Sequence, residues 1–138
     1  MRYYVDTSVA LHALLPGGDV RAIAWFESVD EADELFSSAL IELEIARVLR
    51  RESLDLTDGR AVLDRLNLIS VDGFTLRAAA AIEPHVKTLD SIHLATCLQL
   101  GEGVTLITHD LTMAQAAETL GVPTHDPVGS QLDAEEPV

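Results

Sequence analysis

Lysine is almost absent from this chain: Lys87 is the only one among 138 residues. Nine basic side chains face 23 acidic ones, a formal net charge of −14. A broad electrostatic attraction to nucleic acid is thereby excluded, and the chain should be soluble but self-repelling. Cysteine is equally scarce. With Cys97 alone, an internal disulfide and a four-cysteine zinc site are both impossible. No apolar run approaches the roughly 18 residues of a membrane span. No leader peptide is expected either, because Asp6 interrupts the first apolar stretch. Gly17-Gly18 lacks the context of a phosphate-binding loop. A cytoplasmic protein is the expectation, and the acidic, lysine-poor surface also suits a salt-rich interior.

What is present is enough for one core, since hydrophobic residues make up 48% of the chain. A single domain over residues 1–126 is expected, followed by an acidic flexible tail, 127–138, that holds Pro127, Gly129 and Pro137. The charge is uneven. Residues 47 to 87 carry seven basic and six acidic side chains, leaving about −15 on the rest. A polyanion would be met on this middle stretch, where Arg47, Arg50 and Arg51 are the candidate contacts. Solvated helix faces would produce the same pattern.

Short apolar runs alternate with helical periodicity. Strands are expected at Tyr3-Tyr4-Val5, Leu35-Phe36, Leu68 to Val71, Val104 to Ile107 and near Val122 to Thr124. Helices are expected from Thr7 or Ser8 to about Leu15, from Asp19 through Phe26, and from Ala39 to Glu52. Further helices should cover Asp58–Leu66, Thr75–Ile82, Asp90–Leu100 and Leu111–Leu120. The alternation favours a three-layer α/β/α sandwich with a short parallel sheet.

Two strands end in the same chemistry: Val5 runs into Asp6-Thr7-Ser8, and Ile107 runs into Thr108-His109-Asp110. In an open parallel sheet, functional residues gather beyond the carboxyl ends of the strands. Aspartate is also a common cap, but two at equivalent topological places point to a shared crevice. Asp90 opens an apolar helix and is placed either to cap it or to face that crevice, with Thr88 available as the cap instead. A fourth acid should come from the helix near Ala39. Glu42 and Glu44 lie on nearly opposite faces there, and periodicity does not choose between them. Glu44 has Arg47 in i, i+3 ion-pair geometry, while Glu42 lies nearer Ile45 and Leu49. Clustered carboxylates without thiols suit a hard cation such as Mg²⁺ or Mn²⁺, which can polarise a phosphodiester and activate water. Among the histidines, His93 can share the face of Asp90 but suits a core position, and His109 suits an outward loop.

In these segments, Val5-Asp6-Thr7-Ser8, residues 37–51, residues 88–98 and Ile107 to Asp110, the chain resembles the PIN domain, and within it the toxin ribonucleases of the VapC type. The resemblance runs from residue 3 to about 125. It implies Asp6, Glu44, Asp90 and Asp110 as the catalytic and metal-holding acids, and so selects Glu44 over Glu42. It implies Ser8 and Thr108 as supporting polar groups. The implied activity is Mg²⁺- or Mn²⁺-dependent cleavage of RNA, and the implied partners are a cognate antitoxin and a second copy of the chain. One departure is Leu111-Thr112, where a basic residue often follows the last aspartate. The competing expectation is a catalytically inactive module on the same scaffold that binds a regulatory protein, its acids serving as caps and surface charge.

Overall fold

The computed structural model describes residues 1–129; the remainder of the expected tail lies outside the described residues. Strands β1 (Arg2–Val5), β2 (Glu34–Ser38), β3 (Asn67–Ile69), β4 (Val104–Ile107) and β5 (Thr124–His125) form one sheet. Their order is β3-β2-β1-β4-β5, and every pairing is parallel. The helices are α1 (Thr7–Leu14), α2 (Val20–Ser28), α3 (Leu40–Arg51), α4 (Arg60–Leu63), α5 (Gly73–Ala80), α6 (Thr88–Gln99) and α7 (Leu111–Thr119).

The strand order explains the layering. The chain steps outward from β1 to β2 to β3, then returns to the other side of β1 for β4 and β5. Right-handed crossovers put the helices of the outward walk on one face and those of the return on the other. Side-chain alternation agrees. Val5, Leu35 and Ile107 pack with Val9, Phe26, Ile41 and Ile45 of α1 to α3. Tyr4 and Leu106, one step along, pack with Leu94 of α6 and Met113 and Ala117 of α7. This is the expected α/β/α sandwich. No helix among the described residues is long and apolar enough to cross a membrane.

Local expectations shift in several places. The helix expected over Asp58–Leu66 is a 3-10 turn, Leu56–Gly59, followed by the four-residue α4. The Asp55 carboxylate accepts the Thr57 N–H at 2.9 Å, which starts the tighter turn upstream. The last strand is Thr124–His125 rather than 122–124, because Leu106 N–H takes the Pro123 carbonyl and Thr108 N–H takes that of His125. Helix α6 begins at Thr88 with Lys87 in the N-cap position, so neither Thr88 nor Asp90 caps it. Val128, in the stretch expected as tail, is buried against the α1–α4 core.

β1 and β4 are neighbours whose connections leave in opposite lateral directions. Their carboxyl ends therefore open the crevice of a topological switch point.

Candidate active site

Asp6 follows β1 at the N-cap position of α1, yet its side chain makes no cap bond. Only the Asp6 main-chain carbonyl serves the helix, accepting from Val9 and Ala10 N–H. The carboxylate turns instead to two hydroxyls. Ser8 Oγ donates to Asp6 Oδ2 at 2.8 Å and Thr108 Oγ1 to the same oxygen at 2.9 Å. Each hydroxyl is itself fixed, Ser8 accepting the His109 N–H at 3.0 Å and Thr108 the Asp110 N–H at 3.1 Å. The ends of β1 and β4 are thus tied through one carboxylate. Asp110 does cap α7, accepting the Met113 N–H on Oδ1 at 3.1 Å.

Glu44 projects from α3 to the same crevice. Its Oε1 accepts from Thr7 Oγ1 at 2.7 Å and from His93 Nε2 at 2.6 Å. His93 is 1% exposed, and its Nδ1 lies 2.7 Å from the Tyr4 hydroxyl. Burial alone would push the Glu44 carboxyl up, but the His93 bond and charge, with the Thr7 hydroxyl, hold it below the ordinary range. Burial lowers the His93 pKa, and the bond to Glu44 with the charges of Asp6, Glu44 and Asp90 raises it further than burial lowers it.

Asp90 sits half-buried in the first turn of α6. It has no hydrogen-bond partner among the described residues. Its carboxyl is pushed up to about 6, first by desolvation and then by the negative charges of Asp6, Asp110 and Glu44, with only His93 opposing. The other three acids are therefore close enough to act on Asp90. A common pattern runs through them. Asp6 uses only Oδ2, Glu44 only Oε1, Asp110 only Oδ1 and Asp90 neither oxygen. No buried side-chain oxygen among the described residues lacks a partner, so the spare oxygens remain open to solvent.

This donor set is all oxygen and strongly anionic, which fits a hard divalent cation. As the side chains stand, no three of the described His, Cys, Asp or Glu groups are arranged to hold one ion. The raised Asp90 carboxyl reflects burial first and the neighbouring acids second, and a bound cation would oppose both.

Ser8 and Thr108, expected to support the site, both bind Asp6. Thr7 and His93 were not expected to reach an acid, nor Tyr4 to hold that histidine. The only sequence signal for the histidine was its place one turn after Asp90. Glu42 faces away, with its side chain 56% exposed and 3.7 Å from Arg60. Arg47, Arg50 and Arg51 lie exposed along α3. The i, i+3 ion pair between Arg47 and Glu44 is not formed, and Glu44 Oε1 instead accepts from Thr7 and His93. His109 lies at the rim as an outward loop residue. It bonds Asp126 through Nδ1 at 2.9 Å and meets the His12 ring edge-on at 5.1 Å between centroids. Cys97 is buried, which pushes its thiol up to about 12 and leaves it inert.

Comparison with known proteins supplies an independent line. The PIN domain family matches residues 3–119. Ribonuclease VapC35 of Mycobacterium tuberculosis is 32% identical over 126 residues, covering 86% of this chain and 92% of the relative. Ribonuclease VapC46 of the same species is 42% identical over 90 residues, 62% of this chain and 68% of that one. Among solved structures, a toxin–antitoxin complex from Klebsiella pneumoniae contains a chain similar in fold, with a TM-score of 0.67 at 21% identity. The match covers 91% of this chain and 97% of that one.

Proposed function

This chain belongs to the PIN-domain family, with VapC-type relatives, and from that membership we infer that it is a divalent-metal-dependent endoribonuclease, the toxin of a toxin–antitoxin pair. One observation carries the inference. Asp6 and Asp110 follow β1 and β4 at the switch point of the sheet, and with Glu44 of α3 they act electrostatically on Asp90 of α6, which supports reading the four acids as one site.

Asp6, Asp90 and Asp110 are the proposed holders of Mg²⁺ or Mn²⁺, with Glu44 completing the set or directing the attacking water. A bound ion would cancel the crevice's negative charge, polarise the phosphodiester and make a water molecule more acidic. The chain's own groups do the positioning. Ser8 and Thr108 keep Asp6 Oδ2 occupied, so only Oδ1 is offered inward. Thr7 and His93 do the same at Glu44, whose free Oε2 can accept the proton-bearing edge of a water aligned with the phosphorus. Asp110 is fixed by the first turn of α7. Arg47, Arg50 and Arg51 on the exposed side of α3 are proposed to meet the RNA backbone, which the net charge would otherwise repel. A cognate antitoxin is the proposed protein partner, consistent with the toxin–antitoxin assembly of the Klebsiella relative. Homodimerisation and a cytoplasmic setting belong to the same proposal.

Two measurements separate this from a catalytically inactive interaction module. Asp6→Asn should abolish RNA cleavage and leave the far-ultraviolet circular dichroism of the wild type intact. Added Mn²⁺ should raise the melting temperature of the wild type through binding linkage. A module would show neither effect, and an Asp6→Asn variant that cuts RNA at the wild-type rate would end the nuclease proposal.

A further inference from the structure

We infer that His93 is a positioning residue for Glu44: held between Tyr4 and the carboxylate, it pins one Glu44 oxygen so that the other is offered to the divalent ion. The inference rests on the metal-dependent reading of the site and assigns a role to a residue outside the acidic set.

The hydrogen-bond chain has one direction at its functional end. Ser38 N–H donates to the Tyr4 hydroxyl at 3.0 Å. That hydroxyl lies 2.7 Å from His93 Nδ1, and His93 Nε2 lies 2.6 Å from Glu44 Oε1. An ionised carboxylate only accepts. Nε2 therefore carries a hydrogen in either charge state of the ring, and the assignment does not depend on pH. The chain crosses β2, β1, α6 and α3, so His93 locks the helix bearing Glu44 to the sheet and to the helix bearing Asp90.

A histidine merely satisfied in the core is the simpler account, and two features speak against it. First, both nitrogens of a side chain 1% exposed are committed, and the acceptor chosen is an acid at the crevice rather than a main-chain carbonyl. Second, the donors are asymmetric. Thr7 and His93 both approach Oε1, and no donor among the described residues approaches Oε2. A pair serving only to neutralise charge has no reason to load a single oxygen. Loading one oxygen removes the rotational freedom of a flexible glutamate and leaves a single free oxygen in a fixed direction. Outer-shell donors of this kind orient a ligand before its ion arrives.

The test compares wild type with His93→Leu, which keeps bulk without a donor, and His93→Gln, whose terminal amide can donate from nearly the same place. Mn²⁺ binding is followed by calorimetry, and RNA cleavage is followed against Mn²⁺ concentration. His93→Leu should bind Mn²⁺ roughly 10- to 100-fold more weakly. Its kcat should fall at low Mn²⁺ and recover at high Mn²⁺, with KM for RNA unchanged. His93→Gln should regain most of the affinity. A folded His93→Leu protein with wild-type affinity for Mn²⁺ overturns the inference while leaving the nuclease reading standing. If wild-type protein neither binds Mn²⁺ nor cuts RNA, both fall together. Should the leucine variant fail to fold, wild-type protein decides the matter by nitrogen NMR of the imidazole. Saturating Mg²⁺ should shift the Nε2–H resonance, and an unmoved resonance rejects the coupling.

Discussion

Glu44 and Asp90 bring the same functional group to one crevice from opposite helices, and the protein treats them in opposite ways. On the α3 side, Glu44 meets a hydroxyl and a buried imidazole. On the α6 side, Asp90 accepts from no donor among the described residues and feels the charges of three other acids. Desolvation acts on both in the same sense, yet Glu44 ends below the ordinary carboxylate range and Asp90 rises to about 6. Burial pushes both carboxyls up; the donors at Glu44 reverse that push, and at Asp90 no donor opposes it. The braced side is built for stability as well as function. The unbraced side is a cost that a cation would remove.

The sharpest way to break this contrast is to delete each carboxylate in buffer free of divalent ions. Glu44→Ala strands the donors of a fully buried histidine and of Thr7, and should destabilise the fold by about 1–3 kcal/mol in urea titration. Asp90→Asn should do the reverse. It removes repulsion from Asp6, Asp110 and Glu44, a gain of no more than about 1 kcal/mol once solvent screening is allowed for. Both changes should abolish cleavage, so stability and activity part company at Asp90. If Asp90→Asn lowers the melting temperature, the unbraced description is wrong.

A smaller effect is the pH dependence of that gain. The Asp90 carboxyl titrates higher when folded than its ordinary 3.8, so the folded state holds the proton more tightly than the unfolded state. Its favourable contribution is complete below about 4 and is lost as pH rises through about 6. Wild type should thus lose melting temperature relative to Asp90→Asn across that window and run parallel to it above. A constant difference from pH 4 to 7 would show that neither burial nor the neighbouring charges raise the Asp90 carboxyl. The smallest effect is expected at Glu42→Gln. The side chain is more than half exposed beside Arg60, and stability should stay within about 0.5 kcal/mol with cleavage unchanged.

The pair Glu42 and Glu44 also marks where the sequence stops being legible. The strands ending at Asp6 and Asp110 were readable because a break in apolar patterning sits at a fixed place in a parallel sheet. The helix near Ala39 was readable as a helix. Its buried stripe is Ile41, Ile45 and Leu49, and by the helical period Glu42 lies closer to the centre of that stripe than Glu44 does. The structure uses the two flanks differently: one meets Arg60 beside α4, the other meets the crevice. Periodicity gives a distance from the stripe but not what stands on either flank. Only the family resemblance selected Glu44. His93 was legible as buried and not as a donor to an acid, because its partner is 49 positions away. Asp90 was legible as either a helix cap or a crevice acid, but not as one left without a donor, since that depends on what the neighbouring elements supply.

The junction between β1 and α1 concentrates much of this design in three successive positions. Asp6 offers its carboxylate, Thr7 reaches back to Glu44, and Ser8 ties Asp6 to the end of β4. One residue inserted after Val5 would move all three side chains out of register with the end of β4 and detach them together. The length of this link is therefore as constrained as its three side chains.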